Sequence, residues 1–182
     1  MTPWDDPRTP WKTKSAFMGY LRGCLRKAWT RHPVRLAVVN NSRKLIDNPN
    51  PKGHRKQVWG FTCPLCDITD VIKNAQVDHI NPCGSLRSIE DIQGFAERLL
   101  VVVEEDLRLI CSGCNSCLAY RDKMGITFEQ AKLEKEIIAF TKLTVAKQTS
   151  TLLKAGFEKV DISNAKNRKA AYRSILVYED SK

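Results

Sequence analysis

The sequence has little that would carry it into a membrane or out of a cell. Its longest apolar run, Leu99 to Val103, is far shorter than the ~20 residues a spanning helix requires. No hydrophobic signal core stands near the N-terminus, so the expectation is a soluble, cytoplasmic protein with no membrane partner. Internal repeats and low-complexity tracts are absent too, which excludes a solenoid. The 7 cysteines are odd in number and partly arranged as CxxC, which argues for reduced intracellular thiols over a secreted disulfide scaffold. Histidine is scarce, at 3 residues, and acids number 20 against 30 Lys and Arg.

What is present is a chain of 182 residues with 42% apolar content, enough for a modest core with appendages. The charge is unevenly spread. Residues 1–60 hold 13 Lys or Arg and 3 acids, residues 61–126 hold 6 and 10, and residues 127–182 hold 11 and 7. An acidic centre between basic arms suits a metal-dependent enzyme acting on a polyanion. Basic arms also solubilise a chain or touch RNA without specificity, and charge alone leaves both readings open.

The segment 1–12, with Pro3, Pro7, Pro10, Trp4 and Trp11, predicts an extended stretch that packs its tryptophans on the body. From Lys14, the spacing of Phe17, Tyr20, Leu21, Cys24, Leu25, Ala28 and Trp29 predicts a helix with one apolar face. Arg22, Arg26 and Lys27 lie off that face, toward phosphate or solvent. Pro33 ends this helix and opens a second through Ile46. Residues 47–56 read as a loop with a basic knot at Lys52, His54, Arg55 and Lys56.

Val58 to Phe61 predicts a short strand leading into Cys63-Pro-Leu-Cys66. With Cys111 and Cys114, this pair supplies the donors of a closed structural zinc site. Cys117 makes Cys114 and Cys117 a rival second pair, and Cys24 and Cys83 read as buried or free thiols. Between the pairs stands Val77-Asp78-His79-Ile80. The β-branched residues from Ile72 to Ile80 predict a hairpin whose second strand delivers Asp78 and His79 and ends before Pro82. Ile89, Ile92, Phe95, Leu99 and Leu100 predict a helix within the insert that follows.

Cys63, Cys66, Val77, Asp78, His79, Ile80, Pro82, Leu107, Ile110, Cys111, Cys114 and Asn115 together resemble the HNH endonuclease family, in the zinc-stapled ββα-metal form common in tailed bacteriophages. The resemblance covers about residues 58–146. It implies an α+β fold, a small ββα-metal core with a structural zinc, flanked by mainly helical N- and C-terminal segments. It implies hydrolysis of DNA phosphodiester bonds, by nicking or double-strand cutting, with His79 as the general base. Asp78 and Asn115 would hold a catalytic Mg2+ or Mn2+, and Cys63, Cys66, Cys111 and Cys114 the Zn2+. The host cytoplasm is the implied location if the chain is phage-encoded. Two positions depart from the pattern. Asp106 stands where the family has its middle Asn, and an Asp there can tie the loop and offer its carbonyl to His79. Leu118 stands where a Lys is frequent, which leaves Arg108, Arg121 or Lys123 to meet phosphate.

Beyond the module, Thr127 and Gln130 predict a capping box opening a helix to about Lys147. Gly156 closes a shorter helix, and Ser163 caps a basic one from Asn164 to Leu176, whose Arg168 and Lys169 suit either a small DNA-contacting appendage or a stabilising helix pair. The expected organisation is therefore a basic helical arm at 1–57, the HNH module with its covering helix at 58–147 and a small basic appendage at 148–182. Two further readings stand beside the nuclease: a non-catalytic zinc-stabilised module that binds nucleic acid, and a phage factor directed at a host protein.

Overall fold

The computed structural model describes residues 2–50 and 52–179. It is α+β, with helices flanking small antiparallel sheets. Among the described residues no helix is long and apolar enough to cross a membrane. The chain divides into two compact units, Met1–Ser112 and Gly113–Lys182.

In the first unit, the proline-rich segment sets the Trp4 and Trp11 rings 5.9 and 5.5 Å from Phe17. Helix α1 (Lys14–Thr30) starts where Thr13 Oγ1 accepts from the Ala16 N–H at 3.1 Å. Its packed face is the stripe Phe17, Leu21, Leu25 and Trp29 with Met18, against Leu86, Phe95 and Leu99. Tyr20, Cys24 and Ala28, expected on the same face, are exposed, because the i, i+4 row is seated inward and its i+3 neighbour turns to solvent.

Helix α2 (Pro33–Ser42) is shorter than the sequence suggested. Lys44–Asp47 leaves it to form strand β1, which pairs antiparallel with β2 (Gln57–Thr62), and β3 (Thr69–Val71) completes a three-stranded sheet in the order β1-β2-β3. Gly60 permits this sheet: a Cβ there would stand 2.4 Å from Ile46 Cδ1 and 2.7 Å from the Asp70 carbonyl oxygen.

The hairpin expected inside Ile72–Ile80 does not form. A 3-10 turn at Ile72–Asn74 redirects the chain, so β3 stays with β2 while β4 (Ala75–His79) pairs with the distant β5 (Leu107–Cys111). The insert between them carries α3 (Asp91–Leu100), where Phe95 and Leu99 join the α1 core. Asp91 Oδ2 accepts from the N–H groups of Arg87 and Ser88 at 2.9 and 2.8 Å, bonds that hold its carboxyl below the usual carboxylate range. The loop before α3 is tied twice more: Arg98 Nε donates to the Cys83 carbonyl at 2.8 Å, and Arg22 Nη2 to that of Leu86 at 3.1 Å.

The second unit follows α4 (Ser112–Met124) with α5 (Phe128–Thr141), α6 (Val145–Lys154) and α7 (Ala165–Glu179). The predicted capping box is present: the Gln130 N–H donates to Thr127 Oγ1 at 3.1 Å, and the Thr127 N–H to Gln130 Oε1 at 3.0 Å. The helix does not run to Lys147. It stops at Thr141, and Thr144 Oγ1 starts α6 by accepting from the Lys147 N–H. A side chain holds the break, since the buried Gln148 Nε2 donates to the carbonyls of Thr141 and Leu143 at 3.2 and 2.8 Å. Asn164, not Ser163, caps α7 through the Asn167 N–H at 2.9 Å. Phe140, Leu152, Ile162 and Ala171 form this unit's core, with Phe140 and Tyr172 stacked at 4.0 Å.

Candidate functional site

Cys63, Cys66, Cys111 and Cys114 come together with their sulfur atoms all within 4.8 Å of one another. The first pair sits on a tight knuckle, where the Asp67 N–H reaches the Cys63 carbonyl at 2.9 Å, the Cys63 N–H reaches Ile68 O at 2.9 Å, and Asp67 adopts φ 57°. The second pair spans the end of β5 and the first turn of α4. Four sulfurs around a tetrahedral zinc, each at about 2.3 Å, stand about 3.8 Å apart. The Cys66 and Cys111 sulfurs are 3.8 Å apart. The donor set and its spacing fit a metal such as zinc. Of the rival pairings, the cluster selects Cys111 with Cys114, and Cys117 is a buried residue outside it. Cys83 Sγ donates to the Arg98 carbonyl at 3.4 Å, and burial pushes this thiol up. Cys24 is exposed on α1.

The other end of the same ladder holds Asp78 and His79, because the register sets Ala75 opposite Cys111 and His79 opposite Leu107. His79 Nε2 lies 3.2 Å from the Leu99 carbonyl oxygen. A carbonyl only accepts, so this contact is a hydrogen bond when Nε2 carries the proton, and in a neutral imidazole that arrangement leaves the lone pair on Nδ1. The Trp29 ring lies 4.4 Å from the imidazole, and His32 stacks on Trp29 at 5.4 Å. The His32 Nδ1 is buried without a hydrogen-bond partner.

Asp78 faces Arg108 across the ladder. Arg108 Nε and Nη2 both reach Asp78 Oδ2, at 2.9 and 2.8 Å, with the two side chains 22% and 18% exposed. Both of these contacts fall on Oδ2. Arg108, expected to meet phosphate, is thus engaged with the carboxylate. Asp106 ties its loop as its position suggested: Oδ2 accepts from the Val103 N–H at 3.0 Å. Its carbonyl accepts from the Ile80 N–H at 2.9 Å, and the carbonyl that meets His79 belongs to Leu99 instead. Asn115 lies on the first turn of α4, directly after Cys114.

The predicted phosphate contacts divide by environment. Arg26, Lys27, Arg55, Lys56, Lys123 and Lys169 are exposed. Arg22 is engaged with the Leu86 carbonyl, and Arg121 with its neighbour Asp122 at 2.6 Å. Arg168 is buried. It is 7% exposed and donates to Gln148 Oε1 at 2.9 Å and to the carbonyls of Ile162 and Ser163 at 3.2 and 3.4 Å, so it braces the core of the second unit. Leu118 is buried, which makes that position one of packing.

No family model, curated protein or solved structure matches the chain. The site therefore stands on its own geometry and on the motif residues. Sequence reasoning missed Trp29 and the Leu99 carbonyl. Trp29 was legible as an apolar-face residue, but nothing in its spacing announced that the face ends over His79. Any residue can offer a backbone carbonyl, so Leu99 left no trace of that role.

Proposed function

We propose that this chain is a metal-dependent endonuclease of the HNH kind that hydrolyses DNA phosphodiester bonds, with β4, β5 and α4 as a ββα-metal core. The observation that carries the reading is the state of His79. A carbonyl occupies its Nε2, a carboxylate precedes it in sequence, and the strand beneath it leads to a sulfur cluster. In this reading Nδ1 of His79 takes a proton from water as the water oxygen attacks phosphorus. The bond from phosphorus to the 3′ oxygen breaks and that oxygen takes a proton from solvent water, leaving 5′-phosphate and 3′-hydroxyl ends. Asp78 and Asn115 are the proposed ligands of a magnesium or manganese ion, which would offset the charge gathering on the phosphate and the leaving oxygen. The Leu99 carbonyl and the Trp29 ring keep the imidazole in one tautomer and one orientation. Zinc at the cysteines has a structural role here and takes no part in the chemistry.

Purified protein incubated with supercoiled plasmid tests the reading. Relaxed or linear products with magnesium or with manganese, and none when both are omitted, are the expected result. Intact plasmid across divalent metals refutes it.

The Arg108 fork on Asp78 favours a second reading, in which the module binds nucleic acid without cutting it. An arginine already neutralises the carboxylate that a cation would need. Calorimetric titration with manganese separates the two: heat that disappears in Asp78→Ala belongs to the nuclease, and its absence in the wild type to the binding module.

A further inference from the structure

The hairpin formed by β1 and β2 belongs to a different sheet from the β4–β5 ladder. Leu45 and Trp59 are directly opposed on one face of the sheet, and they are 55% and 45% exposed. The Arg43 guanidinium lies 4.4 Å from the centre of the Trp59 ring, so a planar cation already rests on the indole. On the opposite face Ile46 is packed over Gly60.

The described residues of the connecting loop are tied by their asparagines. Asn48 donates from its backbone N–H to the Lys56 carbonyl and from Nδ2 to the Arg55 carbonyl, both at 2.8 Å. Its Oδ1 accepts from the Asn50 N–H at 3.0 Å, and Asn50 Oδ1 accepts from the Lys52 N–H at 3.1 Å. Gly53 is fitted to this turn, since a Cβ there would come 2.3 Å from Asn48 Nδ2. With the asparagines satisfying the backbone, the side chains of Lys52, His54, Arg55 and Lys56 are all exposed. Positions 43–59 carry 5 Lys or Arg and 1 acid.

Two exposed apolar residues are too few for a protein interface, which buries about 800 Å² on each partner. A planar aromatic ring with an arginine on it, beside a ridge of cations, matches a polymer with flat bases and anionic links. In a duplex each base face is covered by its neighbours, so only an unpaired base has a face to offer the indole.

We propose that the β1–β2 hairpin binds unpaired DNA, with a base stacked on the Trp59 and Arg43 platform and the phosphates met by Lys52, Arg55 and Lys56 of the loop. This rests on the nuclease reading only for the choice of polymer. It makes single-stranded or locally opened DNA the preferred substrate class.

The test uses the full zinc-loaded chain with no magnesium or manganese, so that nothing is cut. Anisotropy is read on a fluorescein-labelled oligodeoxynucleotide, single-stranded or annealed to its complement. Trp59→Ala should weaken single-strand binding by about tenfold and leave duplex binding unchanged, while Trp59→Phe should retain both. Lys52→Ala should weaken both forms and flatten the dependence on salt. Wild-type affinity of Trp59→Ala for the single strand overturns the proposal, as does an equal loss on both forms. The nuclease reading fails on a separate observation, an intact plasmid. A chain that grips single strands through Trp59 and cuts nothing refutes that reading while supporting this one.

Discussion

At one end of the β4–β5 ladder Ala75 stands opposite Cys111, and at the other His79 stands opposite Leu107. The length of the strand sets the two ends roughly 13 Å apart. The first end collects four soft sulfur donors, two of them on a knuckle that is local in sequence. The second collects an imidazole and a carboxylate whose neighbours come from far along the chain: Trp29 in α1, Leu99 in α3 and Arg108 on the facing strand. One ladder thus joins a site that holds the fold to a site that depends on the fold, and disturbances at the two ends should have different consequences.

The largest effect should come from the sulfur end. Cys111→Ser removes one donor and loosens the strand terminus that faces Ala75. Structural zinc contributes on the order of 10 kcal/mol to folding in small metal-stapled modules. Loss of bound zinc by elemental analysis, together with loss of the cooperative thermal transition of the first unit, is the expected outcome. A variant that melts like the wild type would show that the cluster does not hold the ladder.

A smaller effect is expected where the wall meets the imidazole. Trp29→Ala strips the ring from His79 and from the α1 core, at a cost of about 2 kcal/mol in urea denaturation. Zinc content should stay as in the wild type, so this change separates the two ends cleanly. If zinc is lost as well, the ends are coupled through the ladder and the contrast between them weakens.

Arg108→Gln is the mildest of these changes. The ion pair is partly exposed, so its removal should lower stability by about 1 kcal/mol or less. In return Asp78 is freed of a competing cation, and manganese should bind more tightly by calorimetry. Unchanged affinity would mean that Asp78 is not the ligand.

The same contrast explains how much of the molecule was legible in its sequence. The CxxC spacing is a local rule, so the cysteine pairs and the zinc-sized cluster followed from it, and Thr127 with Gln130 marked a helix start for the same reason. Pairings between distant segments were not legible. The β-branched run before His79 suggested a local hairpin, whereas β4 found β5 across the insert and β3 remained with β2. Lys44 to Ile46 reads as the end of a helix but lies in β1, because a short apolar stretch does not distinguish helix from strand until its partner is known. Arg168 is the sharpest case. On a helix rich in cations it looked like a surface charge, and only the positions of Gln148 and of the carbonyls of Ile162 and Ser163 show that it is buried.

The most direct test of the central claim, that His79 is the base of a metal-dependent nuclease, is the initial rate of plasmid nicking with manganese for wild type and His79→Ala, each checked for zinc content and thermal midpoint. The account predicts wild-type zinc and a closely similar midpoint in the variant, with a rate lower by about 10²–10⁴-fold. Nicking by His79→Ala at the wild-type rate would contradict it.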